Sequence, residues 1–138
     1  MVADAGATLR FVYDDVDYGT KGTDWFSVAE AEKMGLYDKA PWYGCAAAVT
    51  KVVFDESFAD YRPTRCISWF LGFKQLASIE SIGNLDTSAA TSFACMFHGC
   101  SSLTSLDLSG FDTAGVTDVN LMFYCCSSLT KQKKGGRR

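Results

Sequence analysis

The chain has 138 residues, 48% of them hydrophobic and 14% aromatic, with only 21% charged. That size fits one domain, and this balance excludes a disordered chain. The net charge of −3 hides a body of 8 basic and 16 acidic residues, since the last eight positions hold five of the 13 basic groups; such a body repels phosphate and argues against nucleic-acid binding.

The N-terminus, Met1-Val2-Ala3-Asp4-Ala5, lacks a basic region followed by an apolar stretch, so no secretion signal is expected in this chain. No apolar run approaches the roughly 20 residues needed to cross a bilayer, and no membrane span is expected. Ala7-Thr8-Leu9-Arg10-Phe11-Val12-Tyr13 alternates like a strand. Trp25-Phe26-Ser27-Val28 is expected to pair with it across the Gly19–Gly22 turn region, and Ala29–Met34 favours helix. Residues 1–41 are read as a cap, the terminal unit that covers the first coil of a repeat array.

From Trp42 onward the sequence repeats. The segment DTSAATSFACMFHGCSSLT from Asp86 and the segment DTAGVTDVNLMFYCCSSLT from Asp112 share ten of nineteen positions at a spacing of 26. An earlier copy places Phe70 against Phe97, Gly72 against Gly99, Leu76 against Leu103 and Ile79 against Leu106, each 27 apart. Upstream again, Trp42-Tyr43-Gly44-Cys45 leads into Val49 and Val52, the counterparts of Leu76 and Ile79. The array spans 42–130 in four partial copies.

Within a period, Leu103-Thr104-Ser105-Leu106-Asp107-Leu108 has the L-x-x-L-x-L spacing of a leucine-rich-repeat strand. Ser109-Gly110 and Asp112–Gly115 are turn formers, and Thr117 is placed to cap a helix carrying Val119, Met122 and Phe123 at i, i+3, i+4. These patterns predict an α/β repeat solenoid, leucine-rich-repeat-like, with short parallel strands alternating with short helices and a small α+β cap. One such unit cannot bury both its strand and its helix stripe, so equivalent residues are expected to stack. The expected ladder comprises Phe70, Phe97 and Phe123; Val52, Ile79 and Leu106; Leu76, Leu103 and Leu129; Cys100 and Cys126; and Asp86 and Asp112. Residues 131–138 break the pattern and read as a basic, disordered tail that leaves the last coil uncapped and open to self-association.

Candidate chemistry is sparse. Cys95-x-x-His98-x-Cys100 has the residue types of a zinc site, but the repeat aligns the three with Leu121, Tyr124 and Cys126, which favours structural roles. Six cysteines permit disulfides, and coils about 4.8 Å apart bring Cys100 and Cys126 near bonding range. Stacked side chains point the same way, however, which favours thiols; Cys125, standing where Gly72 and Gly99 stand, is the one expected to be exposed. A carboxylate column at Asp86 and Asp112 is compatible with calcium, but single carboxylates per turn suit Asx turns better. One histidine at an aromatic repeat slot anchors no triad, and no phosphate loop or nucleophile elbow is present. The expectation is a chain that is not an enzyme and needs no cofactor or metal.

The phrases Asn84–Ser88, Met96–Leu108 and Phe111-Asp112-Thr113 resemble the BspA-like leucine-rich-repeat surface proteins of bacteria, a family found also among mycoplasma surface lipoproteins. Pro41-Trp42-Tyr43 and Val49–Asp55 are similar to the family's lead-in. The resemblance implies display at the cell surface or secretion, and adhesion to a host or neighbouring-cell surface protein without a catalytic site. The alternative is a truncated structural repeat, a stalk fragment or gene remnant, with no ligand of its own.

Overall fold

The computed structural model describes residues 2–5, 7–13, 24–26, 28–34 and 38–133. Among these residues there are seven strands: β1 (Val2–Ala5), β2 (Thr8–Phe11), β3 (Asp24–Phe26), β4 (Lys51–Phe54), β5 (Ser78–Glu80), β6 (Ser105–Asp107) and β7 (Lys131–Lys133). A five-stranded sheet runs in the order β3-β1-β2-β4-β5, and β6 pairs with β7 in a separate two-stranded sheet. Pairing is antiparallel for β3-β1-β2 and parallel for β2-β4-β5 and β6-β7.

An α/β solenoid of alternating strands and helices is not what the chain forms. Among the described residues the one α-helix, α1 (Val28–Ala31), has four residues, and the stretches expected to be helical are turns. The cause lies in the backbone: Ser68, Cys95 and Leu121 have φ of 58°, 56° and 58°, and Gly72, Gly99 and Cys125 have 78°, 82° and 64°. Two left-handed residues four apart in each copy stop a right-handed helix before its first full turn closes. The i, i+3, i+4 apolar spacing is therefore that of a coiled turn with an apolar inner face. Thr117, expected as a helix cap, instead donates its backbone N–H to Thr91 O at 2.9 Å.

Two pairings also differ from expectation. Residues 24–26 pair with β1, which lies between them and β2, because both edges of β2 are already taken, one by β1 and the other by β4. The Gly19–Gly22 turn lies outside the described residues. At the other end, Lys131–Lys133, assigned from sequence to a disordered tail, forms β7 beside β6, with Ser105 opposite Lys131. Backbone pairing needs no apolar side chain, so a basic segment extends the ladder there. Residues 134–138 lie outside the described residues.

The core follows the inner face of these coils. Leu9, Trp42, Val49, Val52, Trp69, Phe70, Phe73, Leu76, Phe97 and Leu103 are completely buried. Phe11, on β2, joins the N-terminal strands to the repeats: its ring lies 5.2 Å from Trp42, 4.7 Å from Phe54, 5.2 Å from Trp69 and 5.7 Å from Phe70. Aromatic pairs at such separations add roughly 0.5–1.5 kcal/mol each beyond the area they bury. An N-terminal strand thus supplies the central ring of the first packed layer.

Candidate functional site

The repeat places equivalent side chains in contact. The Phe70 and Phe97 rings stack at 5.6 Å and 27°, and the Phe97 and Phe123 rings at 5.7 Å and 1°. Phe70 and Phe97 are buried, and Phe123, on the last coil, is half-buried. The aliphatic column begins one copy earlier than the sequence suggested: Leu9 faces Val52, and Val52 faces Ile79, across parallel ladders. Leu106 is buried but stands in the separate sheet, opposite Gln132, so β5 and β6 do not continue one ladder. Leu76 and Leu103 are buried, and Leu129 is half-buried.

Backbone hydrogen bonds tie the coils with a fixed polarity. Along the aromatic wall, the N–H groups of Cys66, Ser68, Phe70 and Gly72 donate to the carbonyls of Ser92, Ala94, Met96 and His98 at 2.8–3.0 Å. One copy on, Phe93, Cys95, Phe97 and Gly99 donate to Asp118, Asn120, Met122 and Tyr124 at 2.8–3.0 Å. Every donor in this wall lies in the upstream coil and every acceptor in the downstream one. On the threonine column the polarity reverses, with Thr91 N–H donating to Thr64 O at 2.8 Å and Thr117 N–H to Thr91 O. Isolated parallel bridges Arg65–Ser92 and Ser92–Asp118 run between the two.

The upstream end of both columns is closed by side chains. Glu32, just past α1, accepts from the Thr64 backbone N–H at 2.7 Å, the Thr64 hydroxyl at 3.0 Å and the Arg65 N–H at 3.3 Å. Its carboxylate stands in for the carbonyl that a preceding coil would offer. Trp42 performs the converse task on the aromatic wall, its indole N–H donating to Trp69 O at 2.7 Å. Neither role was legible in the sequence, because Glu32 and Trp42 meet partners 32 and 27 residues away. The available signal was indirect: Thr64 opens a threonine column and so needs an acceptor from outside the repeat.

The six cysteines are thiols. Cys100 Sγ donates to Phe70 O at 3.2 Å and Cys126 Sγ to Phe97 O at 3.0 Å, so each thiol reaches back to the preceding coil. Burial pushes the Cys66, Cys95, Cys100 and Cys126 thiols up, with Glu32 adding to the effect at Cys66 and Asp118 at Cys95. These are poor nucleophiles, since the reactive form is the thiolate. Cys125 is exposed and occupies the left-handed slot that Gly72 and Gly99 fill.

Asp86 and Asp112 each bond their own turn: Ser88 N–H donates to Asp86 at 3.0 Å and Ala114 N–H to Asp112 at 2.9 Å. Arg62 Nε lies 3.2 Å from the other Asp86 oxygen. The Ser88 hydroxyl and N–H, then Arg62, hold the Asp86 carboxyl below its usual range, against an opposing effect of burial. His98 packs against Tyr124, ring centroids 5.2 Å apart. Among the described residues no group of three or more His, Cys, Asp or Glu is arranged to hold a metal, and no helix is long and apolar enough to cross a membrane. An open cleft of about 360 Å³ lies between Tyr43 and the Gly72–Gln75 turn, with Lys74 at its rim.

Among the described residues the large apolar side chains left exposed are Tyr13 at 48%, Val119 at 56%, Leu121 at 45% and Tyr124 at 57%. Three of the four lie on the last coil, within residues 64–135. Those residues match the family model described as "Mycoplasma protein of unknown function, DUF285". The chain belongs to that family. The DUF285 segment begins at Thr64, the residue Glu32 caps, and contains the stacked Phe70, Phe97 and Phe123. No curated protein and no solved structure matches the chain.

Proposed function

We propose that the chain is a non-catalytic protein-binding module of a mycoplasma-type cell-surface repeat protein, acting in adhesion to a host or neighbouring-cell protein. The observation that carries this reading is the coincidence of membership in a Mycoplasma family with three large apolar side chains, Val119, Leu121 and Tyr124, exposed within residues 119–124. Exposed apolar groups gathered in one place, rather than scattered, are the usual mark of an interaction site. The resemblance of 42–130 to BspA-like leucine-rich-repeat surface proteins supports surface display. The chemistry of the described residues favours binding over catalysis: buried thiols with raised pKa, carboxylates engaged by their own turns, and a histidine packed against a tyrosine.

The test is surface plasmon resonance of the chain over a panel of immobilised extracellular-matrix and host-cell surface proteins. Saturable binding at micromolar concentration, weakened at least tenfold by Leu121→Asp with Tyr124→Ser, is expected. Flat responses across the panel at that concentration refute the adhesion reading.

A further inference from the structure

The first two coils of the repeat meet differently from the later ones. Further along, rows of backbone N–H groups cross from each coil to the carbonyls of the next. Residues 43–45 form a short 3-10 helix instead, and the N–H groups of Cys45, Ala46 and Ala48 bond within their own coil, to the carbonyls of Trp42, Tyr43 and Cys45. Among the described residues no backbone hydrogen bond joins 43–48 to 69–75, and the Trp42 indole N–H on Trp69 O provides a side-chain link. The cleft of about 360 Å³ between Tyr43 and Gly72–Gln75 is the space this leaves. It lies between two successive coils, away from the downstream end of the array.

Its walls carry a mixed set of groups. The half-buried Tyr43 ring stands against Gly72, where a Cβ would lie 3.3 Å from Tyr43 Cε1 and 3.5 Å from the hydroxyl. Lys39 Nζ, 4.7 Å from the centre of that ring, steadies it by its charge without lining the cleft. The Leu71–Gly72 peptide sends its N–H downstream, to His98 O at 2.8 Å. In a trans peptide the C=O points the opposite way, so Leu71 O faces upstream, toward the first coil. Its counterparts His98 O and Tyr124 O receive the N–H groups of Gly72 and Gly99, whereas Leu71 O receives none among the described residues. A carbonyl in that position is an acceptor open to a ligand. Lys74 and Gln75 are exposed at the rim, and no lining residue is acidic. Lys74 has no carboxylate partner among the described residues, in a chain whose body is otherwise acidic.

We propose that this cleft binds one carboxylated sugar ring, its carboxylate toward Lys74, a hydroxyl donating to Leu71 O and its C–H face against Tyr43. The volume stands at the lower end of the roughly 300–1,000 Å³ of ligand pockets, which suits a ligand of this size. An apolar ligand needs walls that cover most of its surface. This cleft is open, and a ring whose remaining hydroxyls stay in water loses nothing by that. The unpaired ammonium selects an acidic ring over a neutral one. The site is separate from Val119, Leu121 and Tyr124 and adds a small-molecule ligand to the protein-binding reading.

The probe is methyl β-glucuronide, with methyl β-glucoside as its neutral counterpart, titrated into the full isotope-labelled chain and followed by NMR. Saturable shifts at the amides of Gly44, Gly72, Lys74 and Gln75 are expected at millimolar concentration. The glucoside should bind about threefold more weakly, the share that an exposed ion pair supplies, and Lys74→Met should erase that preference. At Gly44 an added side chain starts in open space, so Gly44→Leu should fill the cleft and abolish the shifts while the amides of Phe93 and Phe97 stay in place. The inference is overturned if the glucuronide leaves the four amides unmoved, if the glucoside binds equally well, or if Gly44→Leu binds as the parent does. A tetrasaccharide with internal glucuronates distinguishes the sources: tighter binding than the monosaccharide assigns a polymer chain, and equal or weaker binding a free sugar. Leu121→Asp with Tyr124→Ser should leave glucuronide binding unchanged, so this site and the protein-binding reading fail separately.

Discussion

Replacing Phe97 with alanine removes the middle ring of the three-ring column. The side chain is completely buried and stacks on Phe70 at 5.6 Å and on Phe123 at 5.7 Å. Truncation of a buried phenylalanine costs about 3–5 kcal/mol, a large share of the roughly 5–15 kcal/mol that holds a domain together. Phe123 is half-buried and stacks on one neighbour, so Phe123→Ala is expected to cost about 1–2 kcal/mol, scaling the burial term by exposure. The two residues touch, so their costs do not add: a double-mutant cycle should return a coupling of about 0.5–1.5 kcal/mol. Urea unfolding followed by circular dichroism measures all four species. Equal costs for the two single variants, or a coupling indistinguishable from zero, refute the stacked column as an energetic unit.

Glu32→Ala deprives the Thr64 and Arg65 N–H groups of their acceptor and is expected to destabilise by about 1–2 kcal/mol, as loss of a helix N-cap does; Glu32→Gln, which keeps an acceptor oxygen, should cost less than half as much in the same urea titration. Cys125→Gly relieves a left-handed residue worth about 1–2 kcal/mol of strain against about 0.5–1 kcal/mol of added chain entropy, so thermal melts should show a net gain, while Gly99→Ala, at φ of 82°, should show a loss. Asp55 is held below its usual range by the Ser57 hydroxyl and N–H, and Asp86 by those of Ser88. Their contribution to stability is thus present above the unfolded value of 3.8 and lost as pH falls through the lower folded value, and Asp55→Asn with Asp86→Asn should flatten the acid limb of a pH–stability curve. Titration with a thiol reagent should modify Cys125 first and the buried Cys66 and Cys100 last; simultaneous reaction of all three contradicts the burial described.

The repeat period, the phenylalanine column and the alternation of Leu9 and Phe11 are visible in the sequence, because side-chain identity recurs wherever packing recurs. The helices were misread for a physical reason. Val119, Met122 and Phe123 show helical spacing, but spacing reports only which side chains face inward, and a turn with one apolar face satisfies the same pattern. What decides between them is the sign of φ at Ser68, Cys95 and Leu121, residues with no sequence preference for the left-handed region. Gly72 and Gly99 were a hint at the neighbouring slot, blurred by Cys125. Pairing of β3 with β1, and of Glu32 with Thr64, depends on distant segments meeting, which local pattern does not encode.

Each column of hydrogen bonds between coils keeps one direction, the aromatic wall donating from the upstream coil and the threonine column from the downstream one, and this has a consequence for how such genes change length. Gain or loss of one whole period leaves every junction with carbonyls facing donors, so unequal recombination between copies yields chains whose interior bonding is intact. An insertion of a single residue within Cys66–Gly72 would turn the following N–H groups inward and break the row at that joint. Drift in copy number is thereby tolerated, and drift in frame within a copy is not.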